Sequence, residues 1–468
     1  MSRPLATALL LAGPLVTLLL WLLGLPADMP PTARLALGVT IWMGLWWVTD
    51  VVPMGVTALV PTLAFPLLGI LGARETADAY AHPMVFLFLG GFLIARAMEV
   101  VRLHERIALW VVLKLGGSPT RVLLGFMVAT AILSAWMSNT ATCVMMVPLA
   151  LGTATFLGRT TDGHSAALPL LLGVAYAASI GGLTTILGTP TNGILASIAL
   201  DRYGTELGFA EWLMYGGPVA VALVAVTYLY LARVSGLSGR DAGETLGVVQ
   251  GRFRALGPMS RDERTVAIVF GAVALAWSTR ALYDEVVPIT DPGIAVLGAT
   301  LLFALPGERP NGRVMDWAEG VQIPWGVLLL FAGGLALARG FSGSGLADYL
   351  GLKLQSIAVL PPWAVTGVVV AFVNFLTEVT SNVATASVVL PILASLADAT
   401  GLDPIALMAG ATLAASCAFM LPMATGPNAV VFASGELTVA YMAKRGFALN
   451  VISIVVVSAW MWVISAVR

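Results

Sequence analysis

Two tripeptides of small residues, rich in Ser and Asn, interrupt long apolar stretches of this sequence. Ser138-Asn139-Thr140 breaks the stretch 119–158, and Ser381-Asn382-Val383 breaks the stretch 361–398. Where a helix ends inside an apolar layer, its freed carbonyl oxygens can coordinate a hard cation, and the N–H groups of the next half-helix can bind an anion. Irregular backbone at such depth is stable only where it lines a cavity or is buried in protein. The tripeptides therefore predict a paired ion-binding site.

A second pair of breaks follows each tripeptide. Gly188-Thr189-Pro190-Thr191-Asn192 and Ala424-Thr425-Gly426-Pro427-Asn428 each interrupt a long apolar span and end on an asparagine. A single Pro or Gly can merely kink a helix, but the recurrence at corresponding places favours two unwound loops that face the tripeptides. Together the four breaks predict one site with two pseudo-equivalent cation positions.

The two halves of the sequence repeat one another in a fixed register. Residues that recur 243 positions later are Phe88, Gly90, Gly91, Ala95, Arg96, Ser138, Asn139, Thr142 and Pro148, which match Phe331, Gly333, Gly334, Ala338, Arg339, Ser381, Asn382, Thr385 and Pro391. Five predicted membrane crossings and one re-entrant hairpin separate the copies. The hairpin enters and leaves by one face, so the number of crossings is odd and the second copy is predicted to be inverted in the membrane. Inverted repeats are typical of secondary transporters whose site lies at the repeat interface.

The composition places the chain in a lipid bilayer. Hydrophobic residues make up 59% of the 468 residues and charged residues only 10%, well below the roughly one quarter of a soluble protein. A net charge of −1 without a basic patch excludes a nucleic-acid partner.

Hydropathy, read with Gly, Pro and charge as boundaries, predicts an all-α polytopic protein with about 11 transmembrane helices and two re-entrant helical hairpins. The predicted spans lie near 5–24, 34–49, 55–72, 83–101, 166–202, 209–234, 265–283, 290–305, 323–341, 403–440 and 447–467, with the hairpins in the two broken stretches. A polar link, 235–264, separates the halves. Basic segments fall on the inner side if the N-terminus is cytoplasmic and the C-terminus extracytoplasmic.

The ionisable residues within or next to the apolar stretches give weaker indications of function. Glu378 is the one acid deep in the second hairpin, where a functional role and a structural role are equally open, and its counterpart is Ala135. Asp50 is interpreted as an interfacial cap. His82, His104 and His164 lie apart, near predicted helix ends, and we assign them no role.

These motifs resemble the divalent-anion/sodium symporter family. The resemblance runs from about Trp46 to the C-terminus and is carried by the two Ser-Asn tips, by Ser416–Pro422 leading into the second loop, and by Ile323-Pro324-Trp325-Gly326 with Gly333-Gly334. It implies a homodimer in the cell inner membrane, with elevator-type movement of a transport domain against a scaffold. It also implies C4-dicarboxylates such as succinate, malate or fumarate as substrates, sodium as the coupling ion, and no organic cofactor.

The resemblance also implies site residues, position by position. The first sodium would lie near Ser134, Ser138, Asn139 and Gly188, and the second near Thr377, Thr380, Asn382 and Ala424. The anion would contact Ser138, Asn139, Thr140, Thr189, Ser381, Asn382 and Thr425. Val383 departs from the threonine often found at its position in the family.

The predicted domains follow from these assignments. N-terminal and first scaffold helices cover 1–115, the first hairpin with its broken helix 116–205, scaffold helices with the linker 206–357, the second hairpin with its broken helix 358–440, and a C-terminal scaffold helix 441–468.

Three alternatives stay open at this point. A sodium-independent dicarboxylate exchanger or a sulfate carrier of the same fold would use the same neutral groups. An intramembrane hydrolase would need a catalytic dyad or a metal, and the sequence has no HExxH or GxSxG motif, so the chain is not expected to be an enzyme.

Overall fold

The fold is helical throughout the part of the chain that the structure, a computed structural model, describes: residues 3–157, 165–237, 243–310, 312–354 and 360–467. Within these ranges no residue is assigned to an extended strand, and an isolated bridge pairs Pro306 with Arg313. His164 and part of the predicted linker, 238–242, lie outside the described residues. The all-α prediction is confirmed.

The helices come in two runs. The first comprises α1 (Arg3–Leu23), α2 (Pro31–Thr49), α3 (Met54–Thr57), α4 (Val60–Leu68), α5 (Ala73–Tyr80), α6 (Pro83–Val100), α7 (Leu103–Leu115), α8 (Pro119–Ser134), α9 (Asn139–Leu157), α10 (Ala167–Gly181), α11 (Pro190–Tyr203), α12 (Phe209–Val234) and α13 (Gly243–Ala255). The second comprises α14 (Arg261–Thr279), a 3₁₀ turn (Arg280–Leu282), α15 (Asp291–Ala304), α16 (Trp317–Gly320), α17 (Trp325–Gly343), α18 (Leu346–Leu354), α19 (Pro362–Leu376), α20 (Asn382–Thr400), α21 (Pro404–Ala415), α22 (Gly426–Phe432) and α23 (Val439–Val467).

Many of these helices can lie in a bilayer. Among the described residues, eight are long and apolar enough to cross a membrane, and six further apolar stretches have 10 to 17 residues. The predicted hairpins supply members of both groups, since α9 and α20 are long and α8 and α19 are short. These helices support a multi-pass membrane protein, whereas the count of 11 crossings and the orientation of the termini stay predictions.

Two predicted spans have different bounds in the structure. The span 55–72 is divided into α3 and α4, because Pro61 has no N–H to donate to the carbonyl of the preceding turn. The span 403–440 ends early, because Gly435 adopts a left-handed conformation after Phe432. As a result α23 begins at Val439 rather than near 447.

Each broken stretch folds as a pair of helices joined by a short turn. α8 ends at Ser134 and α9 begins at Asn139, while α19 ends at Leu376 and α20 begins at Asn382. Ser and Asn side chains compete with the backbone for hydrogen bonds, which makes them unfavourable inside a helix and favourable at its start. The sequence therefore stops and restarts the helix where the tripeptides lie.

The two halves of the molecule interlock around these turns. The first hairpin packs on α10, and the second packs on α21. In addition α9 contacts α22, and α20 contacts α11, so the arm of each hairpin also packs against the broken helix of the other half. This exchange brings both turns and both loops to one place.

An aromatic cluster joins the first hairpin to neighbouring helices. The Trp136 ring stacks on Phe209 at 5.2 Å, and Phe209 stacks on Trp277 at 5.2 Å. The two indoles lie 6.3 Å apart with an angle of 10° between their planes. The hairpin turn is thus in contact with the start of α12 and with α14.

Candidate functional site

The two hairpin turns and the two loops surround one cavity of about 470 Å³. Ten of the twelve residues that the resemblance implies line it, namely Ser138, Asn139, Thr140, Gly188, Thr189, Thr380, Ser381, Asn382, Ala424 and Thr425. The other two, Ser134 and Thr377, are fully buried behind the wall and are bonded to Asn139 and Asn382. The structure therefore brings the whole predicted set together.

The first corner of the cavity is a cluster of oxygen atoms. One atom of the Asn139 side-chain amide lies 2.7 Å from Ser134 Oγ, 3.3 Å from the Ala178 carbonyl oxygen and 3.2 Å from the Gly188 carbonyl oxygen. If that atom is nitrogen, the amide donates to these acceptors. If it is oxygen, four oxygens converge, an arrangement that a small cation would hold together.

The second corner has the same construction. Thr377 Oγ1 lies 2.8 Å from Asn382 Oδ1 and 2.8 Å from the Ala415 carbonyl oxygen. Thr380 is engaged differently, because its hydroxyl donates to the Leu376 carbonyl at 2.9 Å and contacts Thr385 Oγ1. That hydroxyl is thus bonded within its own hairpin.

Sequence reasoning missed Ala178 and Ala415. Both lie in the last turn of a helix that precedes an unwound loop, at the ends of α10 and α21. The last four carbonyls of a helix have no partner within it, so such positions are available for hydrogen bonds or cations. The helix boundary was the signal that could have identified them.

The side chain of one asparagine donates hydrogen bonds to backbone carbonyls within each loop. Asn192 Nδ2 donates to the Gly182 and Thr185 carbonyls at 3.0 and 2.8 Å. Asn428 Nδ2 donates to the Ala418 and Leu421 carbonyls at 3.2 and 3.0 Å. Each pair of acceptors is spaced three residues apart, so the asparagine that ends each sequence motif closes the loop preceding it.

Glycine is required where the loops approach other backbone or the opposite hairpin. A Cβ atom on Gly188 would lie 2.4 Å from the Gly182 carbonyl oxygen. A Cβ atom on Gly426 would lie 1.9 Å from Thr140 Oγ1. The second loop therefore touches the first hairpin turn, and any larger residue at 426 would push them apart.

The electrostatics of the cavity come from helix ends rather than from cationic side chains. α9, α20 and α11 all begin at its wall, so their N-terminal N–H groups and positive dipole ends favour an anion. Among the described lining residues Asp50 is the one ionisable side chain. Asp50 follows α2 in a left-handed conformation (φ 49°), so the predicted cap also forms part of the wall.

The remaining wall is apolar. It includes residues of the predicted breaks, namely Val383, Pro190, Gly426 and Pro427. Sequence reasoning did not identify the others, which are Trp47, Val48, Met54, Phe92, Leu187, Val327, Leu330, Val379 and Met423. Nothing in the spacing of these others distinguishes them from ordinary packing residues.

The Glu378 carboxylate does not line the cavity. It is 4% exposed and accepts hydrogen bonds from the backbone N–H groups of Phe419, Met420 and Leu421 at 2.8 to 3.0 Å. Asn450 Nδ2 donates to it at 2.7 Å. Of its two open roles, the structure shows the one that bonds freed backbone.

A second cavity, of about 650 Å³, lies at the far ends of α11 and α17. Asp201 on α11 accepts from Arg339 Nε on α17 at 3.0 Å and lies 3.4 Å from His82 Nε2. Arg202 pairs with Asp398 on α20 at 2.7 Å. His82, to which the sequence assigned no role, also caps α6 by accepting from the Met84 N–H.

Comparisons with known proteins agree with this architecture. The family model described as "Sodium:sulfate symporter transmembrane region" matches residues 6–466. The "Sodium-dependent dicarboxylate transporter SdcS" of Staphylococcus aureus strains RF122 and USA300 is 40% identical over 464 residues, covering 96% of this chain and 89% of the relative.

Two solved structures share the fold at low sequence identity. The YdaH transporter of Alcanivorax borkumensis has a TM-score of 0.59 and 12% identity, covering 91% of this chain and 98% of that one. MtrF of Neisseria gonorrhoeae, described as illuminating a class of antimetabolite efflux pumps, has a TM-score of 0.58 and 13% identity, covering 93% and 95%.

The family and the curated relatives are transporters, which sets aside the hydrolase alternative. The resemblance carried by the tips and loops is confirmed over nearly the whole sequence. The chain belongs to the sodium:sulfate symporter family, the divalent-anion/sodium symporters.

Proposed function

We propose that this protein couples the uptake of C4-dicarboxylates such as succinate, malate and fumarate to sodium across the cell inner membrane. The observation that carries the proposal is that each hairpin turn places a hydroxyl, an asparagine amide and a helix-end carbonyl together beside a single cavity. Hydroxyl, amide and carbonyl oxygens are the ligands that a hard cation prefers. The cavity volume is in the range of small-molecule sites.

Each predicted residue receives a role in this proposal. Sodium at the first turn is held by Ser134, Ser138, Asn139 and Gly188, and sodium at the second turn by Thr377, Thr380, Asn382 and Ala424. The anion is held by Ser138, Asn139, Thr140, Thr189, Ser381, Asn382 and Thr425. The positions of the Ala178 and Ala415 carbonyls support adding them to the two cation clusters.

Charge balance gives the order of binding. A dianion in a cavity with Asp50 in its wall and no Lys or Arg among the described lining residues is poorly compensated by helix ends alone. Two sodium ions at the turns supply the missing positive charge and fix the donors of the anion site. Sodium therefore binds first, and the anion follows.

Movement is proposed to follow the elevator mode in a homodimer. The segments 116–205 and 358–440 move together against the scaffold formed by the rest of the chain, with the N-terminus cytoplasmic and the C-terminus extracytoplasmic. The interlocking of each hairpin with the broken helix of the other half supports a single moving body.

The Staphylococcus aureus relatives are named as sodium-dependent dicarboxylate transporters, which supports both the coupling ion and the substrate class. The family description names sulfate, so sulfate is the second substrate to test. A sodium-independent exchanger is the remaining alternative.

Uptake of labelled succinate into proteoliposomes separates these possibilities. We expect uptake to require an inward sodium gradient and to fall to background when potassium or choline replaces sodium. Equal uptake in all three salts, or uptake only into vesicles preloaded with dicarboxylate, would exclude the symporter. Sodium-dependent uptake of labelled sulfate without uptake of labelled succinate would identify a sulfate carrier.

A further inference from the structure

In each half, hydrogen bonds join the hairpin turn to its loop at equivalent positions, but the groups that form these bonds differ between the halves. Ala135 corresponds to Glu378 in the 243-residue register, and Thr185 corresponds to Leu421 in the register that aligns the two loop asparagines. Ala135 contacts Thr185 in the first half, and Glu378 contacts Leu421 in the second. The contact is neutral in one half and involves a carboxylate in the other.

In the first half the loop donates to the turn. The Thr185 hydroxyl donates to the Ala135 carbonyl, and the Gly188 N–H donates to Thr185 Oγ1 at 3.1 Å. No ionisable group takes part. The contact between the Gly188 loop and Ala135 is thus made by one side-chain hydroxyl.

In the second half the turn accepts from the loop. Glu378 Oε1 accepts from the Phe419 and Met420 N–H groups and from Asn450 Nδ2, and Glu378 Oε2 accepts from the Leu421 N–H. All four partners are donors, a set that a carboxylate, which only accepts, satisfies in full. None of these partners carries a positive charge.

Glu378 is the next residue in the sequence after a member of the second oxygen cluster. Glu378 follows Thr377, whose hydroxyl bonds Asn382 Oδ1 and the Ala415 carbonyl. The backbone that Glu378 holds begins four residues after Ala415 and leads to Ala424 in the cavity wall. A buried charge interacts with a nearby cation through a medium that screens the interaction less than water does.

We propose that Glu378 is a positioning residue that makes the two cation positions unequal. It fixes the 416–425 loop in its binding geometry and places a carboxylate next in sequence to a residue of the second cluster, so that the second position binds sodium more tightly and fills before the first. This inference rests on the proposed sodium-coupled function, and it assigns Glu378 no contact with the transported anion.

The test compares Glu378→Gln with the parent protein in labelled sodium binding and succinate uptake, with choline keeping ionic strength constant. Glutamine keeps the size of the side chain, removes the charge and turns one acceptor into a donor facing N–H groups. We expect the sodium concentration for half-maximal binding and uptake to rise about tenfold, a change equivalent to roughly 1.4 kcal/mol. Saturating sodium should restore the maximal uptake rate to within a few-fold.

If Glu378 only supports the structure, Glu378→Gln would change different quantities. It would lower maximal uptake at every sodium concentration and leave the half-maximal sodium concentration unchanged, and this result would overturn the proposal. Glu263→Gln is the matched control, because Glu263 is also a buried carboxylate that caps backbone and pairs with Arg106, but lies outside the cavity wall. It should leave the sodium dependence at the parent value.

Glu378→Asp keeps the proposal testable if the glutamine variant does not fold. The shorter side chain retains the charge but not all four hydrogen bonds, so the sodium concentration for half-maximal uptake should rise, but less than tenfold. The inference is contradicted if that concentration equals the parent value in Glu378→Asp. It is also contradicted if the concentration equals the parent value in Glu378→Gln. Sodium-independent uptake by the parent itself would instead refute the proposed function. The two failures are therefore distinguishable.

Discussion

Thr140 and Val383 occupy the same position in the two hairpin turns, and both line the cavity. They differ by one hydroxyl at nearly constant shape. A hydroxyl that donates to a carboxylate contributes on the order of 1.5 to 3 kcal/mol, or roughly ten- to a hundredfold in affinity. We expect Thr140→Val to raise the dicarboxylate concentration for half-maximal uptake by about that factor, and Val383→Thr to leave it within a few-fold or lower it.

Both variants are measured with sodium saturating, so that cation binding does not limit uptake. Parent-like affinity in Thr140→Val together with a sharp loss in Val383→Thr would show that the anion does not contact the first turn.

Gly426 is the position where the second loop touches the first turn, with no room for a Cβ atom beside Thr140 Oγ1. We expect Gly426→Ala to reduce dicarboxylate uptake at least tenfold, because the added methyl group displaces the Thr140 hydroxyl from the cavity wall. Gly271→Ala on α14 is the matched control, since nothing lies within 4 Å of the added methyl group there. Equal uptake by the two variants would mean that the loop and the turn separate at no cost.

At the scale of elements, the two loops depend on one asparagine each. Asn428→Ala leaves the Ala418 carbonyl without its donor, at about 1 to 3 kcal/mol for an unpaired buried group, and leaves the Leu421 carbonyl with the Ala424 N–H alone. We expect a lower unfolding temperature and a smaller upward shift of that temperature when sodium is added, because a ligand stabilises only the form that binds it.

Asn192→Ala should behave in the same way, since its two hydrogen bonds are equivalent. Thr400→Val, on the far end of α20, serves as the control for a lost side-chain hydrogen bond away from the loops. A full sodium shift in both asparagine variants would show that the loops keep their geometry without these hydrogen bonds.

The sequence predicted the turns and loops because their residues break helices for local reasons. Ser138, Asn139 and Pro190 act through their own backbone and side-chain hydrogen bonds, which a sequence displays directly. The carbonyls of Ala178 and Ala415 and the apolar wall near Trp47 and Phe92 could not be predicted in this way. Their position depends on which helices pack together, and alanine or phenylalanine at such places looks like any core residue.

At the scale of the whole molecule, the Asp201–Arg339 ion pair connects the proposed moving segments to the proposed scaffold. The pair is about one third exposed, so it contributes roughly 0.2 to 1 kcal/mol. Breaking it should lower the population of the conformation described here by up to about fivefold. Spin labels on cysteines at Ser342 and Thr400 would report that population as a distance distribution.

Arg339→Gln and Asp201→Asn should each shift the distribution, and Asp201→Asn also removes the contact with His82. The double variant should shift the distribution no further than Asp201→Asn alone, because Asp201→Asn already removes the pair with Arg339. Asp398→Asn is the control, since its pair with Arg202 lies within the proposed moving segments. Additive shifts in the double variant would contradict a shared ion pair.

The stacked rings of Trp136, Phe209 and Trp277 give this protein a native optical signal. Two nearly parallel indoles 6.3 Å apart are close enough for their electronic transitions to couple, so the near-ultraviolet circular dichroism spectrum depends on their separation. Trp136 belongs to the segment proposed to move, and Trp277 belongs to the scaffold. Movement of the proposed kind would separate the two chromophores and remove this coupling, so that the unlabelled protein would report its own conformational exchange in a spectrometer.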